Sequence, residues 1–145
     1  MPGLTAEDDL ATVTTLRGAI MRLGRRLRHQ RVDCSLSSTE MSVLATLVRG
    51  GPATPSELAR NEHMRPPSMT RILTMLTDKQ LVRREPDPRD GRQMVVTATD
   101  TATEILTESR RQRDAFLAEL AGELTEQEWA AIRAAAPALE RLAHL

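Results

Sequence analysis

The chain is 145 residues long, which fits one domain with a modest core. Twenty basic and twenty acidic residues cancel, so attraction to a polyanion requires a locally basic face rather than net charge. One cysteine excludes an intramolecular disulfide, and one Phe, one Trp and no Tyr count against modules that stack single-stranded bases on aromatic rings.

The charge is segregated along the chain. Residues 17–31 carry six arginines and no acid, residues 60–92 carry eight basic against five acidic groups, and residues 93–145 are net acidic. Phosphate binding depends on local neutralisation, so this distribution is compatible with a DNA-binding face. There is no run of 18 apolar residues and no charged-then-apolar leader, so the expected location is the cytoplasm, with no membrane partner.

Residues 8–31 read as a long helix. Val13, Leu16, Ile20, Leu23 and Leu27 recur at spacings of three and four, a heptad-like seam suited to a core or a partner helix. Arg17, Arg22, Arg25, Arg26, Arg28 and Arg31 cover the remainder, either as a solubilising face or as phosphate contacts. After a connector containing Cys34, Ser37 and Glu40 form a capping box that opens a helix through Met41, Leu44, Leu47 and Val48. Gly50-Gly51-Pro52 ends it. Thr54, Pro55 and Glu57 start a second, short helix with Leu58 and Ala59 on its apolar side.

Pro66-Pro67 then opens a third helix, since proline is tolerated in the first helical turn. Met69, Ile72, Leu73 and Leu76 form its buried stripe, while Ser68, Thr70, Arg71, Thr74 and Met75 lie on the other face. Small hydroxyls and an arginine near the start of a second helix suit a reader of the major groove. Leu81–Glu85 and Gln93–Thr97 are β-rich runs flanking Pro86-Asp87-Pro88-Arg89-Asp90-Gly91-Arg92, a hairpin tip. Arg89 and Arg92, with Asp90 between them to orient a guanidinium, suit a narrow minor groove. Read separately, that tip is equally a solvated loop with local ion pairs.

Thr99 or Thr101 caps another long helix with Ile105, Leu106, Phe116, Leu117, Leu120 and Leu124 apolar; residues 108–114 interrupt that stripe, so part of this helix is expected to be solvated. Thr125 and Glu128 form a third capping box, opening a last helix with Trp129, Ile132, Leu139 and Leu142 aligned and a kink expected at Pro137. Apolar stripes on long terminal helices exceed what a small central lobe covers, which points to a two-fold homodimer.

The order helix, turn, helix, basic hairpin is that of a winged helix-turn-helix. Residues 35–106 resemble the MarR family of transcriptional regulators. The resemblance is carried by Glu57-Leu58-Ala59, Ser68-Met69-Thr70-Arg71, Leu81-Val82-Arg83-Arg84 and Asp87-Pro88-Arg89-Asp90-Gly91-Arg92. One departure is Gln80, where the family usually has glycine at the end of the recognition helix. The resemblance implies a mainly α fold with a small β-hairpin wing. Residues 36–98 would form the DNA-binding lobe, and residues 8–31 and 101–145 the dimerisation helices. It implies a homodimer, most often a repressor, on a pseudo-palindromic double-stranded operator, and release by a small aromatic or phenolic ligand. The expected DNA contacts are Arg65, Pro67, Ser68, Met69, Thr70, Arg71, Thr74, Arg84, Arg89, Asp90 and Arg92.

Competing chemistry has little to stand on. His29, His63 and His144 lie on separate predicted elements without a histidine or cysteine at i+3 or i+4; no Gly-rich phosphate loop or nucleophile elbow is present; neither a cofactor nor an enzymatic activity is expected. Cys34 is either a small apolar filler or a thiol sensitised by nearby arginines. Seven methionines suit an adaptable pocket, although Met21, Met41 and Met69 read first as core. From another class, a ligand-sensing or protein-interaction adaptor keeping the winged helix without DNA readout is favoured by the neutral net charge.

Overall fold

The computed structural model describes residues 7–30 and 36–145. Six helices and one hairpin follow in the order α1 (Glu7–His29), α2 (Ser38–Gly50), α3 (Pro55–Asn61), α4 (Pro66–Asp78), β1 (Val82–Pro86), β2 (Met94–Ala98), α5 (Asp100–Gly122) and α6 (Glu126–Ala143). Cys34 and Arg31 lie outside the described residues. The chain divides into two compact units, residues 32–110 and a second made of residues 1–31 with 111–145.

Residues 36–110 enclose the apolar core. Leu44 and Val43 of α2, Leu58 of α3, and Met69, Leu73 and Leu76 of α4 are completely buried, and Leu36, Leu47, Leu81, Val82, Val96, Ala102 and Leu106 close the cluster. The phase of α2 differs from the sequence expectation. Val43 is fully buried and Val48 is outside, because the inward stripe runs Glu40, Val43, Leu44, Leu47. The three expected capping boxes are present. In each, the Ser or Thr oxygen accepts from the backbone N–H of the glutamate three residues on, and that carboxylate accepts from the cap N–H: Ser37 with Glu40, Thr54 with Glu57, Thr125 with Glu128. At α5 it is Thr99, whose Oγ1 accepts from the Ala102 N–H at 3.3 Å.

Helices α3 and α4 end alike. After α3 the Met64 N–H donates to the Ala59 carbonyl and the His63 N–H to Arg60; after α4 the Leu81 N–H donates to Leu76 and the Gln80 N–H to Thr77. These paired bonds are Schellman turns, which need a left-handed residue just past the cap. His63 (φ 51°) and Gln80 (φ 59°) supply it without being glycine. The turn at Gln80 therefore closes fully, at the steric cost an L side chain incurs there.

β1 and β2 pair antiparallel, Val82 opposite Ala98 and Pro86 opposite Met94, each strand lying one residue later than the β-rich run suggested. Ala53 adds a bridge that sequence periodicity did not signal: its N–H donates to Val96 O at 3.1 Å and its carbonyl accepts from Val96 N at 2.8 Å. That bridge ties the α2–α3 connection to the base of the hairpin.

The second unit holds α1, the later part of α5, and α6. No residue of α6 is buried, and Leu10, Val13, Ile20 and Met21 of α1 are exposed with Trp129, Ile132, Leu139 and Leu142 of α6. Met21 is thus not a core residue of the single chain. The Arg26 guanidinium lies 5.5 Å from the centre of the Phe116 ring, a cation–π contact between α1 and α5. Helix α6 continues through Pro137, which cannot donate to the carbonyl of Arg133. Residues 108–114 of α5 are not uniformly solvated, since Ser109 is buried.

Candidate nucleic-acid interface

The geometry of residues 36–110 begins with how α4 is held. Its buried stripe leaves Pro67, Ser68, Thr70, Arg71, Thr74 and Met75 exposed. Met69 does not belong among the DNA contacts. Its side chain is fully enclosed in the core, because its position in the helical repeat matches Leu73 and Leu76 rather than Thr70 and Arg71. Arg65 is the N-cap residue of α4, exposed, with no side-chain bond to the helix. Its carbonyl accepts from both Ser68 N (3.0 Å) and Met69 N (3.1 Å).

The other end of α4 is anchored by an ion pair that connects residues 39 positions apart. Lys79 Nζ donates to Glu40 Oε1 at 2.6 Å, and Glu40 Oε2 accepts from Ser37 N at 2.7 Å. Burial by itself raises the Glu40 carboxyl. The Lys79 hydrogen bond, the two bonds from Ser37 and the Lys79 charge outweigh it, leaving its pKa below the ordinary glutamate value. A second link joins α2 to the end of α3, where Ser42 and Thr46 hydroxyls donate to Glu62 at 2.7 and 2.5 Å. Together they fix the helix-turn-helix about α2.

At the wing tip it is Asp87, not Asp90, that binds an arginine side chain. Asp87 is buried, and its Oδ1 accepts from Arg89 N at 2.8 Å and Arg89 Nε at 3.3 Å, while Oδ2 accepts from Arg89 Nη2 at 3.4 Å. The Arg89 backbone bond first, then its side-chain bond, hold the Asp87 carboxyl below its ordinary pKa. Asp87 in turn raises that of Arg89, and the charge of Glu57 at the start of α3 contributes as well. Asp90 was expected to orient a guanidinium; instead its Oδ1 accepts the backbone N–H of Arg92 at 3.1 Å. Two Asx-type turns thus shape the tip, each aspartate capturing the N–H two residues on. Among the described residues the Arg92 guanidinium has no ion-pair partner, whereas Arg89 is half-neutralised yet exposed. At the wing base Arg83 pairs with Glu85, and Arg84 is exposed and unpaired among the described residues.

Exposed hydroxyls and Arg71 on α4, with Arg65 at its cap and an arginine-tipped hairpin alongside in the chain, are what a duplex reader presents. The MarR family model matches residues 36–94. An uncharacterized HTH-type transcriptional regulator of Mycobacterium bovis is 38% identical over 130 residues, covering 90% of this chain and 91% of the relative. The chain belongs to the MarR family. A second relative, an uncharacterized HTH-type transcriptional regulator of Mycobacterium leprae, is 40% identical over 78% of this chain and 79% of its own. Among solved structures, a putative transcriptional regulator of Pseudomonas aeruginosa superposes with a TM-score of 0.83 at 31% identity, covering 97% and 99% of the two chains. S. aureus MepR, described bound to an oligodeoxyribonucleotide as its F27L mutant, shares the fold at 16% identity and a TM-score of 0.70, covering 90% and 96%.

As a MarR-type regulator, the chain is a transcription factor rather than an enzyme. No helix among the described residues is long and apolar enough to cross a membrane, and no cluster of three or more metal-ligating side chains occurs among them. Among the contacts of this MarR lobe that sequence reasoning missed are an aspartate–arginine clamp at the wing and the ion pair behind α4. The Asp87–Arg89 clamp had a local signal, an aspartate two residues before the arginine it binds. The Glu40–Lys79 pair had none, because only the fold brings those positions together.

Proposed function

We propose that this MarR-family protein binds double-stranded DNA as a homodimer and acts as a repressor at a pseudo-palindromic operator in the cytoplasm. The observation that carries the reading is α4 itself, held by a buried apolar stripe on one side and offering Ser68, Thr70, Arg71 and Thr74 on the other. Arg71 supplies the bidentate donor set that suits a guanine edge, Arg65 and Ser68 suit phosphates near the helix start, and Pro67 and Thr74 complete the surface. Arg92 enters the minor groove; Arg89 holds the tip in shape and adds charge; Arg84 meets backbone phosphate at the wing base.

Dimerisation is supported by the apolar residues that the single chain leaves open on α1 and α6. A two-fold dimer of helix-turn-helix readers meets half-sites about 34–36 Å apart, one turn of duplex. Release by a small aromatic or phenolic ligand belongs to the same reading. Within the second unit, Leu117, Ala118, Ala121, Gly122, Trp129 and Asp114 line an apolar hollow of about 500 Å³, large enough for such a molecule. MepR, of the same fold, is described bound to ethidium bromide. Trp129 is the sole tryptophan, so quenching of its emission reports occupancy directly.

Selection of bound sequences from a random duplex pool tests the DNA reading. An inverted repeat, with affinity falling steeply as salt rises, supports it; salt-insensitive or absent binding favours the adaptor reading that the neutral net charge suggests.

A further inference from the structure

We propose that Thr70 and Thr74 read thymine methyl groups, so that each operator half-site carries A·T pairs beside the base pair met by Arg71. The inference rests on the DNA-binding reading above and deepens it by naming the bases.

The exposed face of α4 has few hydrogen-bond donors to offer. Pro66 and Pro67 occupy the first two helical positions and have no N–H. The N–H groups of Ser68 and Met69 both go to the Arg65 carbonyl. The helix start therefore has no free backbone donor over its first turn. Further along, the Thr70 hydroxyl donates to the Pro66 carbonyl at 3.0 Å, and the Thr74 hydroxyl to the Thr70 carbonyl at 3.0 Å. Thr77 does the same to Leu73 at 2.7 Å. With its single proton committed to the helix, each threonine can offer the groove only a methyl group and oxygen lone pairs.

Positions 67, 70 and 74 follow one another at three- and four-residue steps and form one row along the helix. Its first member is Pro67, which is also without a donor. Arg71 stands beside the row as a strong donor of guanidinium type. This surface has a definite complement in the major groove. Guanine shows two acceptors, N7 and O6, which a donor-free row cannot satisfy. The A·T pair also shows acceptors, adenine N7 and thymine O4, but it adds the C5-methyl of thymine, which packs on a threonine methyl, and the N6–H of adenine, which a threonine lone pair can accept. Cytosine also offers a donor, N4–H, but no methyl group. Thymine is thus separated from cytosine by the methyl contact, and guanine is left to Arg71.

The test uses the operator obtained from the random pool. Each thymine of a half-site is replaced in turn by deoxyuridine, which removes only the C5-methyl, and affinity is measured by fluorescence anisotropy at fixed salt. The expected result is a loss of roughly fourfold at one or two thymines, the value of burying one methyl group. In the variant Thr70→Ser or Thr74→Ser the corresponding loss disappears, while Thr70→Val and Thr74→Val retain it. An operator whose thymines all tolerate uracil overturns the inference and leaves the DNA-binding reading intact. So does a pattern in which the serine variants keep full affinity and the valine variants lose it, for then the hydroxyl is the reader. A pool that yields no bound sequence removes the DNA-binding reading and this inference together.

Discussion

Replacing Lys79 by methionine keeps the length and apolar stem of the side chain but removes the cation that faces Glu40 at 2.6 Å. The Glu40 side chain is only 2% exposed, so in the variant a carboxylate stays in the core with the Ser37 N–H as its remaining strong donor. A charge-assisted hydrogen bond contributes about 1.5–3 kcal/mol, and the partial exposure of Lys79 lowers this to about 1–2 kcal/mol. The corresponding fall in melting temperature is roughly 3–8 °C for a chain of this size. The loss should depend on pH in a defined direction. In the native protein the Glu40 pKa is depressed below 4.5, so its contribution is complete above that value and is lost as pH falls through the folded value. Without Lys79 its hydrogen bond and its charge no longer hold the carboxyl down, so the Glu40 pKa rises from its native position while the Ser37 bonds remain. The gap between the two proteins is therefore widest near neutrality and closes on acidification. Thermal melts at pH 7 and pH 4, at one protein concentration, measure it. A gap of equal size at both pH values would refute the assignment of Glu40 as the charged partner. Adding Glu40→Gln to Lys79→Met should recover stability, because the amide carbonyl still accepts from Ser37 and no charge is stranded.

The two wing arginines should separate by assay. Arg92→Ala weakens operator binding by tenfold or more, on the order of 1.4 kcal/mol, with its melting temperature unchanged, whereas Arg89→Ala also loosens the tip, seen as faster amide exchange at the wing. Gln80→Gly and His63→Gly relieve left-handed strain and should each raise stability by about 0.5–1 kcal/mol in denaturant unfolding. Ile132→Asp, placing a charge on the open apolar face of α6, should convert the proposed dimer to monomer in analytical ultracentrifugation; an unaltered sedimentation coefficient would exclude that face from the interface.

The local elements of this protein were legible because their causes are local. Three serine or threonine residues with a glutamate three positions later fix helix starts through hydrogen bonds that span four residues, and all three were found where the spacing put them. The paired prolines and the stripe Met69, Leu73, Leu76 marked α4, and the turn residues between β-rich runs marked the wing. What depended on distant residues could not be read. Glu40 resembles any capping glutamate until the fold sets Lys79 against it, and Ala53 resembles a loop residue until Val96 pairs with it. Met69 drew two expectations, burial from its place in the helical repeat and DNA contact from its membership in a four-residue motif; its side chain lies in the core cluster with Leu73 and Leu76, as the repeat indicated. At the wing, composition announced arginines and aspartates, but hydrogen-bond geometry alone assigned Asp87 to the Arg89 side chain and Asp90 to the backbone.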